Sequence, residues 1–110
     1  MRPMVLGLGF LFVAATGASA QEANIARGQQ VYADQKCGLC HSIGDKGNKK
    51  GPLDGVGGKL SAADIRLWMT DARGMTAKTK ATRKPDMKSY TLPKEDLEAL
   101  VAYMLSLKKS

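Results

Sequence analysis

Cys37-Gly38-Leu39-Cys40-His41 is a C-x-x-C-H pentapeptide, and it contains both cysteines and the single histidine of a 110-residue chain. Two thiols three positions apart can each form a thioether to one vinyl group of the same porphyrin. The adjacent imidazole can then bind the iron beneath the ring. The spacing fits one covalently attached c-type haem. Two other chemistries use such a pair. A thioredoxin-like redox disulfide expects a βαβ context, and no run of β-branched residues leads into Cys37. A closed zinc site takes four ligands, so carboxylates would have to complete the set here. Haem attachment alone uses both cysteines and the histidine together.

The first twenty residues set the compartment. Met1–Ala20 reads as a secretory signal peptide: Arg2 gives the positive start, Val5–Ala15 is apolar apart from Gly7 and Gly9, and Ala18-Ser19-Ala20 is a small-residue cleavage site. The competing reading, an uncleaved anchor, is opposed by an apolar segment short of the about 20 residues that span a bilayer. Residues 1–20 are therefore expected to be removed, leaving one domain over 21–110 in the periplasm. Thioether bonds would protect both sulfurs in that oxidising space. The remaining chain is too short for two ordinary domains and can build only a modest core by itself. A porphyrin, a large apolar slab, would supply the missing part, so the apo chain is expected to fold poorly.

Around the motif the pattern predicts an all-α chain with three main helices and long loops. The first helix is expected over Asn24–Gln35, with Asn24 as N-cap and Val31 and Tyr32 facing inward. Gly28 inside it costs about 1 kcal/mol against alanine, which a close helix crossing would explain. The second is expected over Ala62–Arg73, capped by Ser61 and stopped by Gly74, with Ile65, Trp68, Met69 and Ala72 on one face. The third begins at Pro93, carries Glu95 and Asp96 in its first turn, and ends on Lys108 and Lys109. Its buried stripe is Leu97, Leu100, Val101 and Met104, with Leu107 extending it. Glycine- and lysine-rich loops cover 44–58 and 76–90, and no alternating strand pattern or internal repeat is present.

With His41 as the only histidine, a second axial ligand must be of another type. The chain has six methionines. Met1 and Met4 leave with the leader, and Met69 and Met104 lie on apolar helical faces suited to a core role. Met75 and Met87 fall in the expected loop between the second and third helices. Met87 is favoured because Pro85 stiffens its segment, Lys84-Pro85-Asp86-Met87-Lys88-Ser89-Tyr90. Met75 and an open iron remain the alternatives. His/Met ligation raises the reduction potential of a haem.

An ordered set of landmarks runs through the chain: Gly28-x-x-x-Tyr32, then Cys37–His41, then Gly51-Pro52-Leu53-x-Gly55-Val56, the stretch around Met87, and Leu97–Met104. In this order they resemble the small monohaem class I cytochromes c of bacterial type. The resemblance covers essentially all of residues 21–110. It implies the class I cytochrome c fold, one haem, and iron ligation by His41 and Met87. It also implies that the Pro52 carbonyl holds the other imidazole nitrogen of His41. Gly28 would cross the C-terminal helix near Tyr103, and the Trp68 indole would approach a haem propionate. Two features depart from the family pattern: Lys88, rather than proline, follows Met87, and Cys37 comes five rather than four positions after Tyr32.

The function implied is one-electron transfer, not catalysis. An iron with both axial positions filled cannot readily bind substrate, and no second histidine is present for acid–base work. The formal net charge is +7, or +6 once Arg2 is lost. Lys46, Lys49, Lys50 and Lys59 lie in the first loop region, and Lys78, Lys80, Arg83, Lys84 and Lys88 near the methionine. If they ring the haem edge they would steer an acidic redox partner. Otherwise they form a solvated surface. Nucleic-acid binding is disfavoured for an exported chain without a binding motif. The expected molecule is a monomeric carrier, with a haem subunit of a larger dehydrogenase or oxidase as the alternative.

Overall fold

A computed structural model describes residues 16–109. The predicted leader, residues 1–20, lies outside the described residues as far as residue 15. The described chain is mostly helical: α1 (Thr16–Asp34), α2 (Val56–Lys59), α3 (Ala62–Thr70), α4 (Ala72–Thr79) and α5 (Lys94–Ser106). Two short strands, β1 (Ser42–Ile43) and β2 (Lys46–Gly47), form an antiparallel hairpin. A strand of two residues shows no alternation, so the hairpin left no mark in the periodicity.

The helix boundaries correct the sequence reading in three places. Asn24 is interior to α1, not its cap, because the alanine-rich stretch before it continues the helix upstream. The second expected helix is two helices. Asp71 adopts φ −143° and ψ 58°, ends α3, and caps α4 by accepting a bond from the Gly74 N–H at 3.2 Å. Gly74 therefore lies within the first turn of α4 rather than stopping a helix. This places Met75 on a helix, 5 % exposed in the core, and not in a loop. In α5, Pro93 is the N-cap residue, and Lys108 and Lys109 lie beyond the last turn.

The main packing interaction is α1 against α5. Gly28 makes it possible: a Cβ there would overlap the Ala99 carbonyl oxygen and come within 2.7 Å of Tyr103 Cβ. Beside this crossing Tyr32 and Tyr103 meet edge to face, with centroids 5.8 Å apart and planes at 90°. Arg27 Nε donates to Asp96 Oδ1 at 2.9 Å across the same pair of helices. Val31, Ile65, Met69, Leu100, Val101 and Met104 form the buried cluster where α1, α3 and α5 converge. A bidentate pair ties α3 to α5 on the outside, from Arg66 Nε and Nη2 to Glu98 at 2.7 and 2.8 Å. No helix among the described residues is long and apolar enough to cross a membrane.

Candidate haem-binding site

The C-x-x-C-H segment folds as a tight turn. Lys36 takes a left-handed conformation (φ 59°), Cys37–Leu39 form one 3₁₀ turn, and the Cys40 and His41 N–H groups donate to Cys37 O at 3.1 and 2.9 Å. This brings Cys37, Cys40 and His41 onto one short stretch of wall. Asn48 braces the turn from outside. Its backbone N–H lies 2.9 Å from His41 O and 3.1 Å from Gly38 O, and its side-chain amide donates to Leu39 O at 3.1 Å. Cys37 is half-buried and Cys40 exposed. Burial pushes the Cys37 thiol up, so it stays protonated more readily than an exposed thiol.

His41 is oriented by a backbone carbonyl, but not by that of Pro52. Its Nδ1 donates to Gly51 O at 3.0 Å. Gly51 O also accepts from Ser42 N at 3.1 Å, and Leu53 N donates to Ser42 O at 2.8 Å, so Ser42 and Pro52 lie in a parallel bridge. That register aims the carbonyl one residue before Pro52 at the imidazole. With Nδ1 engaged as a donor, Nε2 is left with its lone pair for a metal. Burial, more than any other influence, pushes the His41 pKa down, and the Arg83 charge adds to this against the Gly51 bond. Both favour the neutral, ligating form.

These residues line a cavity of about 740 Å³. Its other walls come from α3 (Ile65, Trp68, Met69), from Leu100 and Met104 of α5, and from the segment carrying Met87. The structure thus brings four of the expected site residues, Cys37, Cys40, His41 and Met87, to one apolar space, and Trp68 with them. Pro52 and Met75 are not on its wall. The cavity has the size and the mainly apolar lining, with a few polar groups, of a site for a large organic cofactor. Two thiols to attach the porphyrin, with an imidazole and a thioether as iron ligands, are the groups that a His/Met-ligated covalent haem uses. The residues present fit that group. Among the described residues no three His, Cys, Asp or Glu side chains are grouped to hold a metal ion, so a closed zinc site lacks its ligands.

The Met87 segment is anchored on the break between α3 and α4. Tyr90 N donates to Met69 O at 2.7 Å, and Ser89 Oγ accepts from Ala72 N at 2.9 Å. Arg83 Nη1 donates to Cys40 O at 2.6 Å. Sequence reasoning did not find Asn48, Gly51 or Arg83. Asparagine's aptitude for bonding nearby backbone was the one signal available for Asn48. Arg83 is 43 residues from its partner and carries no local signal.

The family described as "Cytochrome c" matches residues 25–108. A curated relative, "Cytochrome c oxidase subunit 2" of Alkalihalophilus pseudofirmus, is 32% identical over 91 residues, covering 74% of this chain. The chain spans 25% of the length of that relative. No solved structure matches the chain significantly.

Proposed function

The chain belongs to the cytochrome c family, whose members carry electrons on a haem, and from this we propose that it is a one-electron carrier exported to the periplasm. One c-type haem would be held by thioethers to Cys37 and Cys40, with His41 and Met87 as axial ligands. The observation that carries this is the single cavity in which Cys37, Cys40, His41, Met87 and Trp68 meet. Bound haem supplies a ferrous–ferric couple, and the protein's part is to place, orient and shield it.

Each residue has a defined task. The 3₁₀ turn presents two sulfurs to one porphyrin edge. Gly51 O fixes the imidazole plane and makes His41 a stronger donor. Met87 supplies a thioether, which favours the reduced state, as does an apolar wall of Ile65, Leu100 and Met104. Trp68, on the cavity wall, would offer its indole N–H to a haem propionate. With His41 and Met87 both holding the iron, the site would support electron transfer rather than substrate chemistry. Removal of residues 1–20 on export belongs to the same proposal.

Docking to an acidic redox partner is supported by cations on the cavity wall and elsewhere on the surface. Lys36, Arg83 and Lys88 are on its wall, and Lys46, Lys49, Lys50, Lys78 and Lys80 are exposed. Lys84 contributes less, since it pairs with Asp86 at 2.9 Å. A second arrangement, a haem-bearing subunit of a larger complex, is favoured by one observation, the similarity to part of an oxidase subunit. Size-exclusion chromatography of the native protein separates a monomeric carrier from a complex subunit.

Optical spectra of the matured protein, oxidised and reduced, with and without carbon monoxide, test the ligation. The expected result is a low-spin haem, a methionine–iron band at the red end of the oxidised spectrum that disappears in Met87→Ala, and no carbon monoxide response. A high-spin spectrum with ready carbon monoxide binding would overturn the assignment.

A further inference from the structure

Met87 packs against the core cluster from a segment that is hydrogen-bonded at both ends and sparsely between them. At one end the C-terminus of α4 closes with Lys80 N and Ala81 N donating to Ala77 O and Thr76 O at 3.3 and 3.1 Å. At the other, Ser89 and Tyr90 hold the α3–α4 break. Across residues 82–88 the described hydrogen bonds are two. Lys84 to Asp86 stays inside the segment. Arg83 to Cys40 O, at 2.6 Å, leaves it and reaches the peptide joining the second cysteine to His41.

Gly51 admits that guanidinium. A Cβ on Gly51 would overlap both Arg83 Nη1 and Cys40 O. Gly51 is also the residue whose carbonyl orients His41. Arg83 therefore joins the methionine segment to the backbone that positions the histidine, through one charge-assisted bond of the stronger kind.

We propose that Arg83 is a positioning residue that straps the Met87 segment to the cysteine–histidine turn and so sets how readily the Met87 thioether leaves the sixth position. This rests on the His41/Met87 ligation proposed above. A thioether is a weak ligand whose occupancy depends on how narrowly its segment is confined. Without the strap the segment gains an opened state, and an external ligand binds with an apparent affinity that rises with the open fraction.

The test is a titration of the ferric holoprotein with imidazole, following loss of the methionine–iron band, in wild type, R83Q, R83K and M87A. Loss of a hydrogen bond from a charged donor predicts that R83Q takes up imidazole about tenfold more tightly. Before imidazole is added, the band and the helical circular dichroism should match wild type. R83K keeps the charge but not the planar fork, and should shift in the same direction by a smaller factor. If R83Q yields no holoprotein, R83K carries the test. Imidazole affinity within about twofold of wild type in the folded variants would overturn the strap while leaving the ligation standing. If M87A and wild type share one spectrum and one imidazole affinity, the ligation itself fails, and the strap with it.

Discussion

Gly28→Ala should destabilise the folded protein although alanine is the better helix former. The gain in helix propensity is about 1 kcal/mol. Against it stands the α1–α5 crossing, where the new methyl would overlap Ala99 O and lie 2.8 Å from Ala99 C and 2.7 Å from Tyr103 Cβ. Two of these three atoms are α5 backbone, which has no rotamer to change. The helices must separate, and that pulls on the Tyr32–Tyr103 contact and the Arg27–Asp96 bond on the same line. Overpacking of a close contact costs about 1–3 kcal/mol. With backbone as the obstacle the upper end applies, leaving about 2 kcal/mol net destabilisation. For a domain of this size that lowers Tm by about 8–16 °C. Thermal unfolding of the ferric holoprotein, followed at 222 nm, measures it. Gly58→Ala is the control, because a Cβ on Gly58 meets nothing within 4 Å. A Gly28→Ala midpoint within about 2 °C of wild type would refute the claim that this crossing requires glycine.

Three further outcomes follow from the same packing. Ser89→Ala leaves the N–H of fully buried Ala72 without its acceptor, and should cost about 1–3 kcal/mol, read as a lower denaturant midpoint at unchanged slope. The Arg66 guanidinium holds the Glu98 carboxyl below its ordinary value of 4.5, chiefly through their hydrogen bond. A pKa depressed on folding contributes stability that is present above the unfolded value and lost as pH falls through the folded one. The stability difference between wild type and Arg66→Met should therefore shrink on acidification from neutrality, and a difference that grew would reverse the sign. Both side chains are more than a third exposed, so the effect should be small and salt-sensitive. Finally, the protein expressed as Cys37→Ala/Cys40→Ala without attached haem should lose most of its helical circular dichroism at 222 nm, because the walls of the cavity would face water; native-like helicity and a cooperative melt would contradict this.

What could be read from the sequence was what is local. The cytochrome c family was legible because its C-x-x-C-H signature is set over five consecutive residues. The third helix was legible because its stripe, Leu97, Leu100, Val101 and Met104, keeps helical period between a proline and a charged end. The α3–α4 break was hidden because the apolar stripe runs through it. Ile65, Met69 and Ala72 are all buried although Asp71 interrupts the helix. Periodicity records which side chains are buried, and not whether the backbone between them stays helical. The orienting carbonyl was misplaced by one residue for a similar reason. Whether Gly51 or Pro52 faces His41 depends on the register of a two-residue hairpin and one bridge. Arg83 was read as surface charge, and only the folded chain shows its guanidinium on Cys40 O.

The break between α3 and α4 links fold and site. A continuous helix over 62–79 would bond Met69 O and Ala72 N within itself. Interrupted at Asp71, it offers them to Tyr90 N and Ser89 Oγ, at 2.7 and 2.9 Å. The methionine segment is thereby held to α3, whose Ile65 and Met69 are at once core residues and cavity wall. Through Arg83 the segment is held to the turn that carries both cysteines. The chain thus closes a circuit from core to segment to motif and back through Gly51. Its weakest links are single hydrogen bonds on the exposed segment, while its strongest are buried side chains of α3 and α5. Local opening follows the weakest links. Under the proposed His41/Met87 ligation, a mild perturbation should therefore free the Met87 thioether before the helices separate.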